Sequence, residues 1–168
     1  MALSEELKQR IRAEFPKYPE KRAVLITALH FAQEEGEGWI EASVIPEIGA
    51  LLDIPAIDVK EVVSFYAMFN ESPVGKRHLR VCTGLSCCLR GARRLQNRIQ
   101  DDLDLRPFEV TADGVFSVGS VECLGSCGTA PVLQVNNRVY IENLGSDDVP
   151  ALLDNLRREV ADEDAESA

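Results

Sequence analysis

Apolar side chains recur at intervals of three to four residues through the first part of the chain, a spacing that predicts amphipathic helices. The first helix carries Leu7, Ile11 and Phe15 on one face, and acidic residues in its opening turn suit the helix dipole. A second helix is predicted over residues 20–35, and Gly36 is its expected stop. Since each helix has one apolar face, these helices are expected to pack against one another.

Two further helices are predicted before the chain reaches a segment rich in turn residues. The apolar positions of the third are Ile45, Ile48, Leu51 and Leu52. Pro46 is tolerated there only in the first turn. The fourth is predicted to open at Asp58, with Glu61 completing a capping box, and to continue to Phe69. Residues 1–73 are therefore predicted to form an N-terminal helical domain.

The pattern changes after the Pro- and Gly-containing segment "NESPVGK". The segment "HLRVC" predicts a strand, and residues 88–103 predict a helix. "GVFSVGSVEC" and "PVLQVNNRVYIENL" predict further strands, and Asn136-Asn137 stands where a two-residue hairpin turn is expected. A final helix is predicted after Ser146 as its cap. The order β-α-β-β-α predicts a small α/β layer over residues 74–160.

The acidic composition limits the classes of partner. The chain has 168 residues and a formal net charge of −10, so it is expected to bind no nucleic acid. Basic segments at residues 76–80 and 89–98 flank the first cysteines. We interpret them either as solvated surface or as charge that compensates an anionic site or docks an acidic partner. The tail, residues 161–168, is acidic and poor in apolar residues, and it is predicted to be disordered.

The sequence also bears on location. It has no run of about 18 apolar residues, so no direct insertion into a membrane is expected. Its first residues lack both the apolar core of a secretory signal and the Ser- and Arg-rich composition of an organelle leader. We therefore expect a cytoplasmic protein.

Five cysteines are the candidate functional residues. They follow the pattern Cys82-x4-Cys87, with Cys88 adjacent, and then Cys123-x3-Cys127 after a long gap. In a reducing cytoplasm, clustered cysteines more often hold metal or do redox chemistry than form structural disulfides. The odd total suits four ligands and one bystander better than a full set of disulfides.

The spacing of the cysteines alone does not distinguish a zinc site from a 2Fe–2S cluster. Structural zinc sites favour cysteine pairs separated by two to four residues, whereas a 2Fe–2S cluster takes four thiolates over two irons and accepts wider loops. Gly84, Gly125 and Gly128 lie within or beside the pairs and favour an anionic cluster, because glycine lets backbone N–H groups approach the sulfurs. A helix after Cys88 would also point its positive end toward the cluster. The alternative is that these glycines only form turns.

The segments "VCTGLSC", "VECLGSCGTAP" and "EVVSFYAMF" resemble the thioredoxin-like 2Fe–2S subunit of NADH:quinone oxidoreductase (complex I). The same module occurs in NAD-linked hydrogenases and formate dehydrogenases, and the resemblance covers nearly the whole chain. It implies an α/β fold in which an N-terminal helical bundle is followed by a thioredoxin-like 2Fe–2S ferredoxin domain. It also implies a 2Fe–2S cofactor and a set of four ligands. These are Cys82, Cys87, Cys123 and Cys127.

Cys88 is the cysteine that the motif does not require. We interpret it as a small apolar residue that fills space at the start of the following helix. Adjacent side chains usually diverge, so Cys87 and Cys88 are not expected to bind the same iron. Pairing of Cys82 with Cys88 is the alternative.

The predicted function is one-electron transfer within a larger enzyme. The chain has no G-x-G-x-x-G fingerprint, no P-loop and no evident catalytic triad, so by itself it is not expected to be catalytic. The resemblance implies partners: an FMN- and NADH-binding flavoprotein subunit, which holds FMN and NAD, and a larger iron–sulfur subunit. As part of such a complex, the chain would lie peripherally on the cytoplasmic face of the inner membrane. The helix with Phe65, Tyr66 and Phe69 is a candidate docking face, with internal packing as the alternative.

Three alternative functions compete with this one. A thiol oxidoreductase is disfavoured because the chain has no Cys-x-x-Cys motif. A structural zinc module would use the same four cysteines without electron transfer. The third alternative keeps the cluster and changes the host complex to a hydrogenase or a formate dehydrogenase.

Overall fold

The computed structural model describes residues 3–106 and 109–166. The chain forms two compact units that divide between Pro73 and Val74. This division falls within the turn-rich segment after which the sequence pattern changes. The first unit is helical, and the second contains the sheet.

The first unit contains the four predicted helices. They are α1 (Glu5–Glu14), α2 (Leu25–Glu35), α3 (Val44–Leu52) and α4 (Ala56–Phe65). The Ser4 hydroxyl caps α1 by accepting the Leu7 backbone N–H at 3.0 Å. Ile11, Leu29 and Ile48 come from three of these helices and are fully buried in one core. The pattern of apolar positions thus predicted these helices and their packing.

The start of α4 differs from the prediction. Pro55 has extended backbone angles and immediately precedes the helix, so α4 begins at Ala56 and not at Asp58. Asp58 therefore lies within the first turn and forms no capping box with Glu61. Its carboxylate pairs instead with Arg22 at 3.1 Å.

The aromatic residues at the end of α4 have different environments. The helix ends at Phe65 because the backbone of Tyr66 is extended. Phe69 lies beyond the helix, is buried, and contacts the His30 ring with centroids 5.1 Å apart. Phe65 is 76% exposed and Tyr66 is 38% exposed. Internal packing therefore accounts for Phe69, whereas the side chains of Phe65 and Tyr66 face solvent.

The second unit is a sheet with helices. Its strands are β1 (Arg77–Cys82), β2 (Phe116–Val121), β3 (Leu133–Val135) and β4 (Val139–Ile141), and its helices are α5 (Leu85–Leu89), α6 (Ala92–Leu103) and α7 (Val149–Glu166). Within the described residues the strand order is β2-β1-β3-β4, with β1 parallel to β2 and the other neighbours antiparallel. Asn136 and Asn137 have φ values of 51° and 58° and lie in the connection between β3 and β4, so the predicted hairpin forms. Its turn differs from the expected two residues, because Val135 pairs with Val139 and Arg138 joins the loop.

One core joins the sheet to its helices. Leu79 and Val81 of β1 are fully buried with Leu95 and Ile99 of α6, and α7 contributes Leu153. The alternate residues of β1 point to the other face of the strand, because successive side chains in a strand alternate. No helix in the described part of the chain has the length and apolar character needed to cross a membrane.

The helical segment after the first cysteines differs from the prediction. Residues 88–103 were expected to form one helix, but the chain breaks between α5 and α6 at Gly91, whose φ of 98° is accessible to glycine. Because α5 begins at Leu85, Cys87 and Cys88 both lie inside a helix. The helix whose first residues lie next to the cysteines is therefore α5, which contains Cys88. The prediction of a helix that begins at Cys88 is wrong.

The start of the last helix also differs. Ser146 begins a short 3-10 turn, Ser146–Asp148, that leads into α7, and the residue at the cap position of this turn is Gly145. The preceding Gly145 donates its backbone N–H to the Asp148 carboxylate at 3.1 Å. An acidic side chain thus satisfies the backbone where a serine cap was expected.

The prediction of a disordered tail is wrong for residues 161–166, which continue α7. Two ion pairs connect this end of the helix to the start of β1. Lys76 pairs with Asp164 at 2.6 Å, and Arg77 pairs with Glu163 at 2.6 Å. Local composition predicted disorder, but these distant basic partners favour the helix. Residues 167 and 168 lie outside the described part of the chain.

Candidate metal centre

The parallel strands β1 and β2 bring the two cysteine segments together. Cys82 is the last residue of β1 and pairs in register with Val121, the last residue of β2. Parallel strands end at the same edge of a sheet, so the first ligand loop (residues 83–87) and the second ligand loop (residues 122–130) leave from one place. Thr83 adds a hydrogen bond from its backbone N–H to the Val121 carbonyl at 2.8 Å.

The short helix α5 places a second thiol beside Cys82. Cys82 and Cys87 are both buried, with 4% and 2% exposure. Burial raises the pKa of the Cys87 thiol, and the neighbouring Cys82 and Cys127 thiols raise it further. The Val132 backbone N–H lowers this pKa. Three of the four predicted ligands are therefore neighbours in the fold, although Cys127 is far from the other two in sequence.

Gly84 lets the two ligand loops approach closely. A Cβ at this position would lie 2.9 Å from the Glu122 carbonyl oxygen and 3.6 Å from the Cys82 sulfur. It would also lie 4.0 Å from the Cβ of Cys123. The fourth predicted ligand is therefore near the first, and any larger residue at Gly84 would push against the second loop.

The second ligand loop already has a backbone donor directed at a sulfur. The Gly125 N–H donates to Cys123 Sγ at 3.3 Å. Gly125 has a φ of 76°, a conformation that other residues rarely adopt. Cys123 and Cys127 are both exposed, so this side of the site faces solvent.

Polar side chains outside any sequence motif also hold this loop. The hydroxyl groups of Ser126 and Thr129 both donate to the Glu142 carboxylate, the latter at 2.8 Å. Glu142 lies just after β4 and is separated from the cysteines in sequence. No local motif connects it to the loop, so only the fold shows the contact.

Cys88 has a hydrogen-bond partner in the backbone of the first ligand loop. It is half-buried, and its thiol donates to the Thr83 carbonyl at 3.1 Å. Adjacent residues on a helix point about 100° apart, so the inward direction of Cys87 turns Cys88 toward the loop backbone. This thiol therefore has a local partner of its own.

The donor set suits a cluster with two metal ions. All five thiols are free, and glycine and backbone N–H groups lie where an anionic cluster needs close donors. Within residues 3–106 and 109–166, no group of three or more His, Cys, Asp or Glu side chains is placed to hold a single metal ion. A 2Fe–2S cluster takes four thiolates distributed over two irons, and glycines and backbone donors lie beside the four predicted ligands.

Comparison with known proteins gives a consistent set of relatives. The family described as thioredoxin-like 2Fe-2S ferredoxin matches residues 11–157. The chain is 46% identical to NADH-quinone oxidoreductase subunit 2 of Thermus thermophilus, over 85% of this chain and 80% of the relative. It is 39% identical to an NADH-quinone oxidoreductase subunit of Rickettsia bellii, over 85% and 86% of the two chains. An NADH-quinone oxidoreductase subunit of Rhizobium meliloti is 36% identical over 90% and 89%.

Solved structures show a similar fold. An NAD+-reducing NiFe-hydrogenase in its air-oxidized state matches with a TM-score of 0.67 and 22% identity. The match covers 81% of this chain and 23% of the hydrogenase chain. The H2-reduced state matches with a TM-score of 0.67 and 23% identity, over 80% and 22% of the two chains. At these identities the similarity shows the fold alone, and this chain spans less than a quarter of the hydrogenase chain.

Proposed function

We propose, given that this chain belongs to the thioredoxin-like 2Fe-2S ferredoxin family, that it is the one-electron transfer subunit of an NADH:quinone oxidoreductase. Family membership confirms the resemblance seen in the sequence, the predicted fold class and the 2Fe–2S cofactor. The observation that carries the proposal is the convergence of thiols from both ligand loops at the ends of β1 and β2.

We propose that four cysteines hold the cluster. They are Cys82, Cys87, Cys123 and Cys127. The proximity of Cys87 to Cys82 and Cys127 supports this set, as does the approach of Gly84 to Cys82 and Cys123. The contact of Cys88 with the Thr83 carbonyl supports its role as a bystander. The alternative pairing of Cys82 with Cys88 would require Cys88 to leave this partner and turn inward.

The residues around the ligands explain how the site would support electron transfer. When bound, a 2Fe–2S cluster accepts and releases one electron at a time. Buried Cys82 and Cys87 exclude water from one side of the site. The Gly125 N–H, directed at Cys123, supplies partial positive charge next to a sulfur. Exposed Cys123 and Cys127 leave the other side open toward a partner.

A partner must supply the two-electron chemistry. NADH delivers a hydride, and a flavin is the group that converts this electron pair into single electrons. The sequence has no dinucleotide-binding fingerprint. We therefore propose that the neighbouring subunit is a flavoprotein that binds FMN and NADH, with a larger iron–sulfur subunit beyond it. These partners would hold the chain peripherally on the cytoplasmic face of the inner membrane.

The surface near Cys87 has the chemistry of a docking surface. Leu85 and Leu89 occupy one side of α5 and are 78% and 79% exposed. Arg90, Arg93 and Arg94 lie beside them, are exposed, and form no ion pair among the described residues. Because the whole chain carries a charge of −10, this basic area is local and favours a partner with an apolar centre and an acidic rim.

The proposal is tested by mixing the chain with its flavoprotein partner. The cluster-loaded chain alone should not oxidise NADH with an artificial acceptor. With the purified FMN-containing partner, addition of NADH should reduce the chain, observed as bleaching of its visible absorbance and appearance of an electron paramagnetic resonance signal. Reduction by NADH without a partner, or no reduction with one, would contradict the proposal.

The host complex is a separate question with its own test. Three relatives at 36–46% identity are NADH-quinone oxidoreductase subunits, whereas the hydrogenase match is 22% identical. We therefore favour the quinone-linked complex over a hydrogenase. Affinity purification of the tagged chain from its own cells should yield NADH:quinone oxidoreductase activity. Hydrogen-dependent NAD+ reduction in the same material would favour the alternative.

A further inference from the structure

The Glu142 carboxylate lies against the second ligand loop. One of its oxygens, Oε1, accepts hydrogen bonds from the hydroxyl groups of both Ser126 and Thr129, the latter at 2.8 Å. The two hydroxyl oxygens are 2.7 Å apart, so the three side chains form a compact triangle. Ser126 immediately precedes Cys127 and Thr129 follows two residues later, so the carboxylate connects both sides of this thiol.

The backbone next to Glu142 is fixed to the same loop. The Asn143 N–H donates to the Thr129 carbonyl at 2.7 Å, and the Leu144 N–H donates to the Pro131 carbonyl at 3.2 Å. The carboxylate is thus presented from a segment with its own anchors. Hydrogen bonds from Ser126 and then Thr129 lower the pKa of Glu142, so the side chain is ionised at neutral pH.

The loop needs such a support because its ligands are exposed. Cys123 and Cys127 face solvent, and the short 3-10 turn Cys127–Thr129 buries no side chain. Within this turn the Thr129 N–H reaches the Ser126 carbonyl at 3.2 Å. A charged acceptor forms stronger hydrogen bonds than a neutral one, so Glu142 is well suited to limit the motion of Cys127.

We propose that Glu142 is a positioning residue for the metal centre, which fixes the second ligand loop on both sides of Cys127. The inference rests on the proposed ligand set, in which Cys127 binds the cluster. A loop that is free to move would let Cys127 leave its iron more often and would distort the ligand geometry when it is bound.

The test compares three variants of the full chain loaded with its cluster under anaerobic conditions. Glu142→Ala removes the acceptor, and Glu142→Gln keeps one acceptor oxygen without the charge. Glu122→Ala is the matched control, because Glu122 is an exposed carboxylate in the same loop with no side-chain hydrogen bond among the described residues. Two readouts apply: the rate at which an iron chelator bleaches the visible absorbance, and the line shape of the reduced protein in electron paramagnetic resonance.

Glu142→Ala should bleach severalfold faster than the unmodified chain and show an altered line shape. Glu142→Gln should restore both toward the unmodified values, and Glu122→Ala should change neither. A Glu142→Ala protein with unchanged rate and line shape would overturn the inference. So would a Gln variant as labile as the Ala variant, or an equal effect of Glu122→Ala.

A fourth variant separates this inference from the ligand assignment. Cys127→Ala should lose the cluster or hold it weakly. If it does and Glu142→Ala behaves like the unmodified chain, the ligand set stands and the positioning role is wrong. If Cys127→Ala retains a normal cluster, the ligand set itself is wrong and the inference fails with it.

Discussion

Gly125 and Gly128 lie on either side of Cys127 and offer a controlled comparison. A Cβ would meet no heavy atom within 4 Å at either position. They differ in the backbone, since Gly125 has a φ of 76° and Gly128 is outside the left-handed region. Gly125 also donates its N–H to Cys123 Sγ at 3.3 Å. A Cβ would therefore have equal space at the two positions, but only Gly125 has a left-handed backbone.

Gly125→Ala should lower the midpoint potential of the site or make the cluster labile. A left-handed conformation costs a non-glycine residue about 1–2 kcal/mol, so the loop should shift and weaken the N–H to sulfur hydrogen bond. That hydrogen bond stabilises the more negative reduced state. Potentiometric titration followed by electron paramagnetic resonance measures the effect. Gly128→Ala should match the unmodified chain, and an unchanged potential in a fully loaded Gly125→Ala protein would show that this amide is unimportant.

His78 is a half-buried histidine on β1. Burial, and secondarily the positive charge of Arg80, lowers the pKa of His78 to about 4. The Ser117 hydroxyl accepts the Gly75 N–H at 2.9 Å, so its own proton is free to donate to His78 Nδ1 at 2.8 Å. The folded state therefore contains neutral His78, and protonation would break this hydrogen bond.

We expect His78 to make the second unit less stable as the pH falls from about 6.5 to about 4, because the unfolded chain takes up the proton first. Above pH 6.5 neither state is protonated, so the contribution is constant there. The loss between pH 7 and pH 5 should be about 2 kcal/mol. Hydrogen exchange of the β1 and β2 amides at these two pH values, corrected for intrinsic rates, measures it.

His78→Gln should remove most of this pH dependence. The control is His30→Gln, which changes the other histidine in the sequence and should leave the pH dependence unchanged. An equal pH dependence in the His78→Gln protein would mean that another group is responsible.

For single residues, the sequence predicted those that belong to short motifs around the cysteines. The four candidate ligands were selected from spacing and from a family resemblance, and their binding of the cluster stays a prediction, which the proximity of thiols from both pairs supports. Gly84 and Gly125 were selected as glycines near cysteines, although their contacts were not predictable. Glu142 was missed because its partners in the second ligand loop lie in a different part of the sequence.

Among the elements, the end of α7 shows how distant charges alter a local preference. The segment 161–166 is acidic and has few apolar residues, yet it is helical. Glu163 and Asp164 pair with Arg77 and Lys76 at the start of β1. Exposed ion pairs contribute little individually, about 0–1 kcal/mol, but a helix terminus needs little stabilisation to remain folded.

Replacing both acidic partners, as Glu163→Gln with Asp164→Asn, should increase hydrogen exchange of the α7 amides beyond Val160 severalfold. The reason is that the terminal turns lose about 1 kcal/mol of attraction to β1. Added salt should produce a similar increase in the unmodified chain, because salt screens exposed charges. Asp162→Asn is the control, because Asp162 is exposed on the same turns and forms no ion pair with β1 among the described residues. Equal exchange in the double variant and the control would contradict this account.

The elements also show where pattern analysis succeeds. Four helices of the first unit and the β3–β4 hairpin follow from apolar spacing and from the Asn136-Asn137 turn. Apart from the acidic tail, the errors lie at the boundaries of elements, where a single residue decides. Gly91 interrupts the expected long helix, and Pro55 moves the start of α4. These residues are visible in the sequence, but their backbone angles depend on packing around them.

For the whole molecule, the proposed docking surface makes a prediction about assembly. Leu85→Ser with Leu89→Ser should weaken binding to the flavoprotein partner by about tenfold or more, equivalent to about 1.4 kcal/mol, because exposed leucines at an interface centre lose apolar burial. The control is Ile57→Ser, since Ile57 is 71% exposed on α4. Titration calorimetry with the purified partner measures both.

The double leucine variant should retain an unchanged electron paramagnetic resonance spectrum, which separates a docking defect from damage to the cluster. Equal affinity of the double variant and the unmodified chain would show that α5 does not contact the partner.

The central proposal concerns the whole chain: Cys82, Cys87, Cys123 and Cys127 hold the 2Fe–2S cluster, and Cys88 does not. The most direct measurement is spin quantitation by electron paramagnetic resonance of the anaerobically purified, dithionite-reduced protein and its single-cysteine variants. The unmodified chain and Cys88→Ser should each give about one spin per chain, as a reduced 2Fe–2S cluster requires. Replacement of Cys82, Cys87, Cys123 or Cys127 by Ala should abolish or strongly reduce the signal. A lost signal in Cys88→Ser together with a normal one in Cys87→Ala would contradict the assignment.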